Sequence, residues 1–245
     1  MRRLLLAYLT LVVGCLGGTA PAALPADATV LLVGNSLTYW NDMPAMVQAL
    51  ADSAGTTDVR VAVVAFPDFS LGDHLSQGAA QRAIARGRWR AVVLQQGPSA
   101  LEESRTDLLA SARRFATEIR AAGARPALYA PWPSQSRAGD FDRSAESYRL
   151  AAEAVDGMLF PVGEAWRAAW RRDSTLALYG PDGLHPSVLG SYLAALVIHA
   201  SLAGTSPVAR PTLRMASGAR VSVGAETATL LRDAAAEAVE RFGRK

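Results

Sequence analysis

Three polar side chains in this 245-residue sequence have the types and the spacing that acyl transfer requires. Asp182 and His185 flank a Gly-Leu pair in the segment DGLHPS, so one loop can hold a carboxylate against an imidazole. An Asp that accepts the Nδ1 proton fixes the His tautomer and stabilises the imidazolium that forms when Nε2 takes a proton from a serine. Ser36, which follows the apolar run VLLV and a Gly-Asn pair, is the serine that we expect. Taken alone, Asp-x-x-His also fits a capping Asp beside a surface His, and Gly-Asn-Ser fits an ordinary turn.

The sequence contains two other histidines, and neither is favoured as the base. His199 lies in the apolar segment LVIHA and is expected to be packed or hydrogen-bonded inside a helix. His74 lies near a predicted helix start and is expected at the surface or as a cap. The acid three residues before His185 therefore makes that histidine the predicted base.

Apolar runs and amphipathic segments alternate along the chain from residue 28 onward. Short apolar runs closed by turn-forming residues predict strands at 30–33, 59–66, 89–96, 127–130 and 158–162. Apolar residues at helical spacing, several times followed by glycine, predict helices at 41–55, 71–86, 103–122, 144–155, 186–203 and 225–242. The last helix is expected to bury a face formed by Leu231, Ala235, Ala238 and Phe242. Residues 204–224 are predicted to be rich in loops.

Strands that alternate with helices in this rhythm predict one parallel sheet covered by helices on both faces. We expect an α/β fold, a flavodoxin-like three-layer α/β/α sandwich with a mainly parallel five-stranded sheet, in a single domain that spans 28–245. The carboxyl ends of such strands carry the chemistry of open α/β sheets. Ser36 follows the first strand, and the Asp182–His185 loop is expected at the same edge.

The first 23 residues have the pattern of a secretory leader. Two arginines precede an apolar run at 4–13 that is too short for a lasting membrane span, and small residues follow. Residues 20–22 (APA) offer a cleavage site, whereas residues 12–15 (VVGC) resemble a bacterial lipobox in which Cys15 would be lipidated. We predict an exported bacterial protein that is periplasmic, extracellular or lipid-anchored at the cell envelope.

Composition argues against several classes of partner and cofactor. The chain has 25 basic and 22 acidic residues, and loss of the leader with its two arginines lowers the formal charge from +3 to +1. No basic surface for nucleic acid is therefore predicted. Cys15 is the only cysteine, which excludes an intrachain disulfide and a thiolate metal site. The sequence has no closely spaced histidines and no glycine-rich phosphate loop, so we expect neither a metal nor a cofactor.

Two segments of the sequence, taken with their order along the chain, resemble the motifs of the SGNH/GDSL hydrolase superfamily. They are Gly34-Asn35-Ser36-Leu37 near the start of the exported part and Asp182-Gly183-Leu184-His185-Pro186 near its end. The resemblance extends over about 28–203 and implies the SGNH hydrolase fold. It also implies an esterase or acyl hydrolase with Ser36 as nucleophile, His185 as base and Asp182 as the residue that orients the base.

The sequence departs from the family pattern in its oxyanion-hole blocks. The family's third block supplies an asparagine, and this chain has Gln95-Gln96-Gly97 at that place. We expect the Gln96 side chain to replace that donor, with Gln95 as the alternative, since one step along a strand reverses the face. The second block implies a backbone N–H from Ser70 or Gly72. Asn35 replaces the aspartate of the family's Gly-Asp-Ser.

The resemblance implies a small-molecule or carbohydrate ester, with small acyl groups favoured, as the partner, and lipid or other esters stay open as substrates. Membrane contact is expected only through the leader or a lipid anchor, and the sequence does not indicate an oligomeric state. Trp132, Tyr39 and Trp40 follow strands near the expected site and are candidates for lining the substrate or for packing. Two alternatives remain open: a non-catalytic envelope protein that binds glycan or a partner, and an O-acyltransferase with the same triad.

Overall fold

The computed structural model describes residues 24–25 and 27–243. The predicted leader at 1–23, with Cys15, lies outside the described residues. The strands are β1 (Val30–Gly34), β2 (Val61–Ala65), β3 (Ala91–Leu94), β4 (Arg125–Tyr129), β5 (Met158–Phe160), β6 (Thr212–Arg214) and β7 (Arg220–Ser222). The helices are α1 (Ser36–Tyr39), α2 (Met43–Ala54), α3 (Leu71–Gln77), α4 (Ala79–Arg86), α5 (Glu102–Ala121), α6 (Phe141–Ala154), α7 (Val162–Arg172), α8 (Val188–Ala203) and α9 (Ala225–Phe242). Short 3-10 segments cover Trp40–Asp42 and Gln135–Asp140.

Strands β1 to β5 form one parallel sheet in the order β2-β1-β3-β4-β5. Every residue of β1, β3 and β5 is buried, as expected for strands covered on both faces. The predicted α/β fold with a five-stranded parallel sheet is confirmed. In this order the strands progress in opposite directions from the centre, and ligands of open α/β sheets bind at that reversal. Ser36 directly follows β1 and so lies at this point.

Helices cover the two faces of the sheet with separate apolar cores. On one face, α2, α7, α8 and α9 pack against side chains such as Leu32 and Val93. On the other face, α3, α4, α5 and α6 pack against Leu31 and Val92. Helix α8 is apolar all round because α2, α7 and α9 surround it. Its burial fixes the position of its first turn, which follows the His185 loop directly.

Several elements differ from the sequence predictions. The predicted helix 71–86 is two helices, because Gly78 adopts a left-handed φ of +81° that ends α3. Helix α7 begins at Val162, inside the range predicted as strand, and the rest of it was not predicted. The loop-rich 204–224 contains the antiparallel pair β6–β7. Phe242, expected on the buried face of α9, is 39% exposed and lies against the Arg241 guanidinium.

Within the part of the chain that the structure describes, no helix combines the length and the apolar character needed to cross a membrane.

Candidate active site

Ser36 lies in a turn that is too crowded for any residue but glycine at position 34. A Cβ atom on Gly34 would lie 2.3 Å from Thr38 Oγ1 and 2.4 Å from Gln95 Oε1. Gln95 Oε1 also accepts hydrogen bonds from Thr38 Oγ1 at 2.7 Å and from the backbone N–H of Asn35 at 3.0 Å. The side chain at the end of β3 therefore fixes the turn that presents Ser36.

Asn35 connects this turn to its neighbours through both ends of its amide. Its Oδ1 accepts from the backbone N–H of Leu37 at 3.1 Å and so caps α1. Its Nδ2 donates to the backbone carbonyl of Phe69 at 3.2 Å, in the loop between β2 and α3. Asn35 is only 7% exposed. An aspartate at this position would provide the cap but not the second hydrogen bond.

The segment Asp182–His185 folds into a tight loop around its own carboxylate. Asp182 Oδ1 accepts from the backbone N–H of Leu184 at 3.0 Å and of His185 at 2.9 Å. Gly183 adopts a left-handed φ of +66°, which a residue with a side chain rarely takes. The backbone N–H of Gly180 donates to His185 O at 2.7 Å and closes the loop. The short spacing of acid and imidazole is thus imposed by the local backbone.

The segment that follows β4 supports the Asp182–His185 loop through two hydrogen bonds. Trp132 Nε1 donates to Leu184 O at 2.9 Å, and the backbone N–H of Gln135 donates to Gly183 O at 2.7 Å. Trp132 is fully buried and stacks on Trp166, with ring centroids 3.8 Å apart. Of its two predicted roles, packing is therefore the one observed, because a fully buried indole cannot line a substrate surface. Trp132 instead fixes the loop that carries His185.

Folding brings Ser36, His185 and Asp182 into one hydrogen-bonded chain. His185 Nδ1 lies 2.5 Å from Asp182 Oδ2, and His185 Nε2 lies 2.9 Å from Ser36 Oγ. With the proton on Nδ1, the imidazole donates to the carboxylate and accepts from the serine hydroxyl. The serine and the histidine come from positions 149 residues apart. This is the geometry in which a histidine can take the proton of an attacking serine.

The Asp182 carboxylate is held in its charged form. The hydrogen bond from His185 and those from the backbone N–H groups of Leu184 and His185 lower the pKa of Asp182 to about 2. The side chain of Asp182 is 49% exposed, whereas that of His185 is 19% exposed. A charged carboxylate in this position keeps the Nδ1 proton on the imidazole and leaves Nε2 free to accept.

His74 is not at the surface, and the prediction for it is wrong. Its ring is fully buried beside the rings of Phe66 and Phe69, and its Nε2–H donates to Gly34 O at 2.8 Å. Burial lowers the pKa of His74, which favours the neutral ring. The physical reason for the error is that α3 turns this position toward the end of β1, where the ring provides a second hydrogen bond to Gly34 O, which also accepts from the backbone N–H of Phe66 at 3.1 Å. The prediction for His199 is confirmed, since that ring is 2% exposed and its Nε2 lies 3.3 Å from Thr56 Oγ1.

Gln96, the expected oxyanion donor, uses its side chain elsewhere. Its Nε2 donates to Ser99 Oγ at 2.9 Å and to Ser104 O at 3.3 Å, so both amide hydrogens have acceptors. Its Oε1 accepts from the backbone N–H of Leu71 at 2.9 Å. The Gln95 alternative is partly occupied, because its Nε2 donates one hydrogen bond to Gln96 O. Both glutamines support the loops around Ser36, and Gln96 has no side-chain N–H free for a substrate, whereas Gln95 uses one of its two amide hydrogens.

Ser70 and Gly72 differ in the availability of their backbone N–H groups. Ser70 N–H donates to Asp73 Oδ2 at 2.8 Å, and the Ser70 hydroxyl caps α3 in a capping box with Asp73. The N–H groups of Gly72 and Ser36 have no acceptor among the residues that the structure describes. Gly72 lies near Asp107, whose Oδ1 would be 2.9 Å from a Cβ added to it.

A cavity of about 440 Å³ opens beside Ser36. Its walls come from the loops that follow β1, β2, β3 and β4, as expected at the carboxyl edge of a parallel sheet. Most of the lining surface is apolar, with contributions from Phe69, Leu101 and Leu184, and polar side chains such as Ser70, Gln96 and Arg137 lie among these apolar groups. A larger cavity of about 760 Å³ beside β5, α6 and α7 contains none of the predicted site residues.

Known structures share this fold over most of the chain. A candidate SGNH hydrolase from Slackia heliotrinireducens is 32% identical, with a TM-score of 0.60 over 71% of this chain and 98% of that protein. A lipase/acylhydrolase from Enterococcus faecalis is 17% identical, with a TM-score of 0.57 over 72% and 96% of the two chains. A catalytic mutant of an acetylxylan esterase from Geobacillus stearothermophilus is 13% identical, with a TM-score of 0.54 over 73% and 94%. No protein-family model and no curated protein sequence matches the chain.

The chain belongs to the SGNH/GDSL hydrolase superfamily, as the identity to the Slackia protein and the coverage of that protein show. The predicted family and fold are therefore confirmed. The protein is therefore an enzyme of the ester-bond hydrolase class.

Proposed function

We propose that the protein is a serine esterase in which Ser36 is the nucleophile, His185 the general base and Asp182 the residue that orients the base. The observation that carries this proposal is the hydrogen-bonded chain from Asp182 Oδ2 through the imidazole to Ser36 Oγ. A wide gap between Ser36 and His185 would instead favour a non-catalytic binding protein, and the 2.9 Å separation supports catalysis.

The reaction proceeds in two acyl-transfer steps. Ser36 Oγ bonds to the ester carbonyl carbon while its proton moves to His185 Nε2, and Asp182 stabilises the resulting imidazolium. The bond from the carbonyl carbon to the alcohol oxygen then breaks, and the imidazolium gives its proton to the departing alcohol. Water next attacks the acyl-Ser36 carbonyl, loses a proton to His185 and releases the carboxylic acid, and Ser36 Oγ regains its proton.

The developing oxyanion requires N–H donors, and the backbone supplies the best candidates. The Ser36 N–H is one donor, since it has no acceptor among the described residues and belongs to the reacting residue. The Gly72 N–H at the start of α3 is the second candidate for the same reason. Ser70 and Gln96 are less suitable, because their N–H groups already have acceptors.

Small acyl esters of carbohydrates are the proposed substrates. The cavity beside Ser36 is modest in volume, which favours a small acyl group over a long alkyl chain, and the hydroxyl, amide and charged side chains within its mainly apolar wall can hydrogen-bond a hydroxylated alcohol. One structural neighbour is an acetylxylan esterase. A panel of acyl chain lengths and acetylated oligosaccharides should show turnover that falls as the acyl chain lengthens. Faster turnover of long-chain esters would contradict this assignment.

Turnover of p-nitrophenyl acetate tests the proposed function directly. We expect Ser36→Ala to lower kcat by roughly 10⁴–10⁶-fold, because the acyl-enzyme route needs the hydroxyl. Ser217→Ala is the matched control, since Ser217 lies in the exposed β6–β7 turn, and it should retain full activity. Equal rates of p-nitrophenyl acetate hydrolysis for the wild type and Ser36→Ala would refute the assignment of Ser36 as the nucleophile.

Two further readouts separate the alternatives on the same fold. A fluorophosphonate should label the wild type and not Ser36→Ala, whereas a non-catalytic glycan-binding protein would not be labelled. An O-acyltransferase would transfer the acyl group to an added sugar acceptor faster than to water. We expect hydrolysis to dominate.

Export through the leader at 1–23 is also part of the proposal, although that segment lies outside the described residues. Expression of the full chain in a bacterial host should give a processed protein in the envelope or the medium. Mass spectrometry of the mature N-terminus would separate cleavage after residue 22 from lipidation at Cys15. In the second case, Cys15→Ser should move the protein out of the membrane fraction. An unprocessed cytoplasmic chain would refute export.

A further inference from the structure

The indole of Trp40 lies on one face of the His185 ring. The two ring centroids are 3.8 Å apart and the ring planes differ by 20°, which is a parallel stack. Trp40 is 39% exposed although one of its faces is covered by the imidazole. A large aromatic side chain that stays this exposed while covering the proposed base calls for an explanation beyond core packing.

The backbone around Trp40 is built to hold this stack. Asn41 and Asp42 adopt left-handed φ angles of +53° and +56°, an unfavourable conformation for two successive residues other than glycine. The Asn41 side chain secures the turn, because its Nδ2 donates to Pro186 O at 2.9 Å and to Ser191 Oγ at 3.0 Å. Pro186 directly follows His185, so the turn that carries Trp40 is tied to the loop that carries the base.

The stack would act differently on the two protonation states of His185. The face of an indole attracts a cation placed over it, and it has much less attraction for a neutral ring. In the proposed reaction the imidazole is neutral before attack and becomes an imidazolium as Ser36 gives up its proton. An interaction that is stronger with the imidazolium lowers the barrier and not merely the energy of the bound substrate.

We propose that Trp40 is a positioning residue that orients the His185 ring and stabilises its protonated form during acyl transfer. This inference rests on the proposed function. Asp182 fixes one edge of the imidazole, Ser36 lies at the other, and Trp40 covers a face. The left-handed turn at Asn41 and Asp42 then serves to keep the indole parallel to the imidazole.

Steady-state kinetics of Trp40→Phe, Trp40→Leu and Trp40→Ala test the proposal with p-nitrophenyl acetate and ethyl acetate. We expect Leu and Ala to lower kcat by roughly three- to tenfold for both esters with little change in KM, as loss of a partly exposed cation–π contact predicts. Trp40→Phe should recover most of the rate, because it keeps an aromatic face. Phe242→Ala is the matched control, since Phe242 is an aromatic residue with the same 39% exposure and lies at the end of α9, and its kcat should equal that of the wild type.

The outcomes distinguish aromatic support of His185 by Trp40 from two other roles, a simple apolar cover and a platform for the substrate. Leu as active as Phe would overturn the inference, because an apolar cover would then suffice. A raised KM for the aryl ester alone, with kcat unchanged, would also overturn it and would make Trp40 a substrate platform. Circular dichroism of all variants checks that they fold, and the Phe–Leu comparison remains decisive if Trp40→Ala does not.

Failure of the proposed function can be distinguished from failure of this inference. If the wild type hydrolyses neither ester, the esterase proposal fails for these substrates. The rate of fluorophosphonate labelling of Ser36 then tests the role of Trp40. We expect this rate to be highest in the wild type, slightly lower in Trp40→Phe and lowest in Trp40→Leu. Equal labelling rates in all variants, or no labelling of the wild type, would refute the role of Trp40.

Discussion

At the scale of single residues, Asn35 distinguishes this nucleophile turn from one built on Gly-Asp-Ser. Its Oδ1 caps α1 and its Nδ2 donates to Phe69 O, and both groups are buried. A carboxylate in the same place would face the Phe69 carbonyl with no hydrogen to share. The replacement of the family's aspartate is therefore matched to the neighbouring loop of this chain.

Restoring the family's aspartate should harm this protein. Asn35→Asp loses the Phe69 hydrogen bond and buries a negative charge beside a carbonyl oxygen, so we expect a loss of about 1–3 kcal/mol in the free energy of unfolding and a lower kcat. Urea unfolding and p-nitrophenyl acetate turnover measure the two effects. Asn35→Ser is the control, because it keeps a capping oxygen without the charge and should lose less. An aspartate variant as stable and active as the wild type would show that the Phe69 contact is unimportant.

Asp182 combines a role in the loop with a role in the proposed chemistry, and one substitution separates them. Asp182→Asn keeps an oxygen that can accept from the backbone N–H groups of Leu184 and His185, but it cannot hold the Nδ1 proton in the same way. We expect unchanged folding with kcat reduced by about 10⁴-fold.

The difference in kcat between the wild type and Asp182→Asn should depend on pH in a way that follows from the pKa of Asp182. Because the pKa of Asp182 is lowered to about 2, its carboxylate is charged in the whole range of a usual assay and loses its charge only as the pH falls through about 2. The difference between the wild type and Asp182→Asn should thus persist from about pH 4 to 9. A difference that vanished near pH 5 would mean that Asp182 titrates much higher than its hydrogen bonds imply.

At the scale of elements, the Asp182–His185 loop depends on how closely α8 approaches the chain before it. Gly190, in the first turn of α8, lies where a Cβ atom would be 2.3 Å from Leu178 O and 2.6 Å from Trp166 Cζ2. Leu178 O also accepts from the backbone N–H of Ser187, two residues after His185. A shift of α8 at this contact would therefore move the base.

Gly190→Ala should push α8 away from the Leu178 segment. We expect the free energy of unfolding to fall by about 1–3 kcal/mol and kcat to fall as His185 leaves the reach of Ser36. Gly139→Ala provides the control, since no atom lies within 4 Å of a Cβ added there, and it should be nearly neutral. Full activity together with full stability in Gly190→Ala would contradict the close packing of α8 against Leu178.

Much of the element order could be predicted from the sequence, for a reason visible in particular segments. Buried parallel strands such as β1 and β3 are short apolar runs, and a glycine in the left-handed conformation follows α2 and α8, so local pattern and final structure agree. Helix α7 was missed because it starts one residue after Pro161, with no turn to separate it from β5. The helical spacing of Ala165, Trp166 and Ala169 is the local signal that indicates this helix.

The candidate site was predictable to the same limited extent. Asp182 and His185 are close in sequence, and Ser36 closely follows β1, so their types and positions suffice to single them out. The environments of Gln96, His74 and Trp132 depend on partners 25 to 52 residues away, such as Leu71, Gly34 and Leu184. No local pattern encodes those hydrogen bonds. Side chains that support a site are for this reason harder to predict than those that react.

At the scale of the whole molecule, one ionic cluster joins the final helix to the layer that supports the site. Glu237 on α9 accepts from Arg171 at 2.6 Å and Arg172 at 2.7 Å, both on α7, and from Arg241 at 3.0 Å. The hydrogen bonds from Arg172 and Arg171 lower the pKa of Glu237 to about 2. Since α7 also carries Trp166, which stacks on Trp132, this cluster helps to fix the layer beneath the His185 loop.

Replacing that carboxylate should make stability depend on pH in a predictable way. Glu237 has a lower pKa in the folded chain than in the unfolded chain, so its contribution is complete above about pH 4.5 and disappears as the pH falls toward 2. We expect Glu237→Gln to cost about 1 kcal/mol in the free energy of unfolding at pH 7, less in high salt, and progressively less at about pH 4 and 3. Glu240→Gln, one turn from the cluster's Glu237 on the same helix and without an ion pair among the described residues, should differ from the wild type by less than about 0.5 kcal/mol. Urea unfolding across this pH range measures all three proteins. A Glu237→Gln deficit that stayed constant with pH would mean that side-chain packing, and not the charge of the carboxylate, holds α9 to α7.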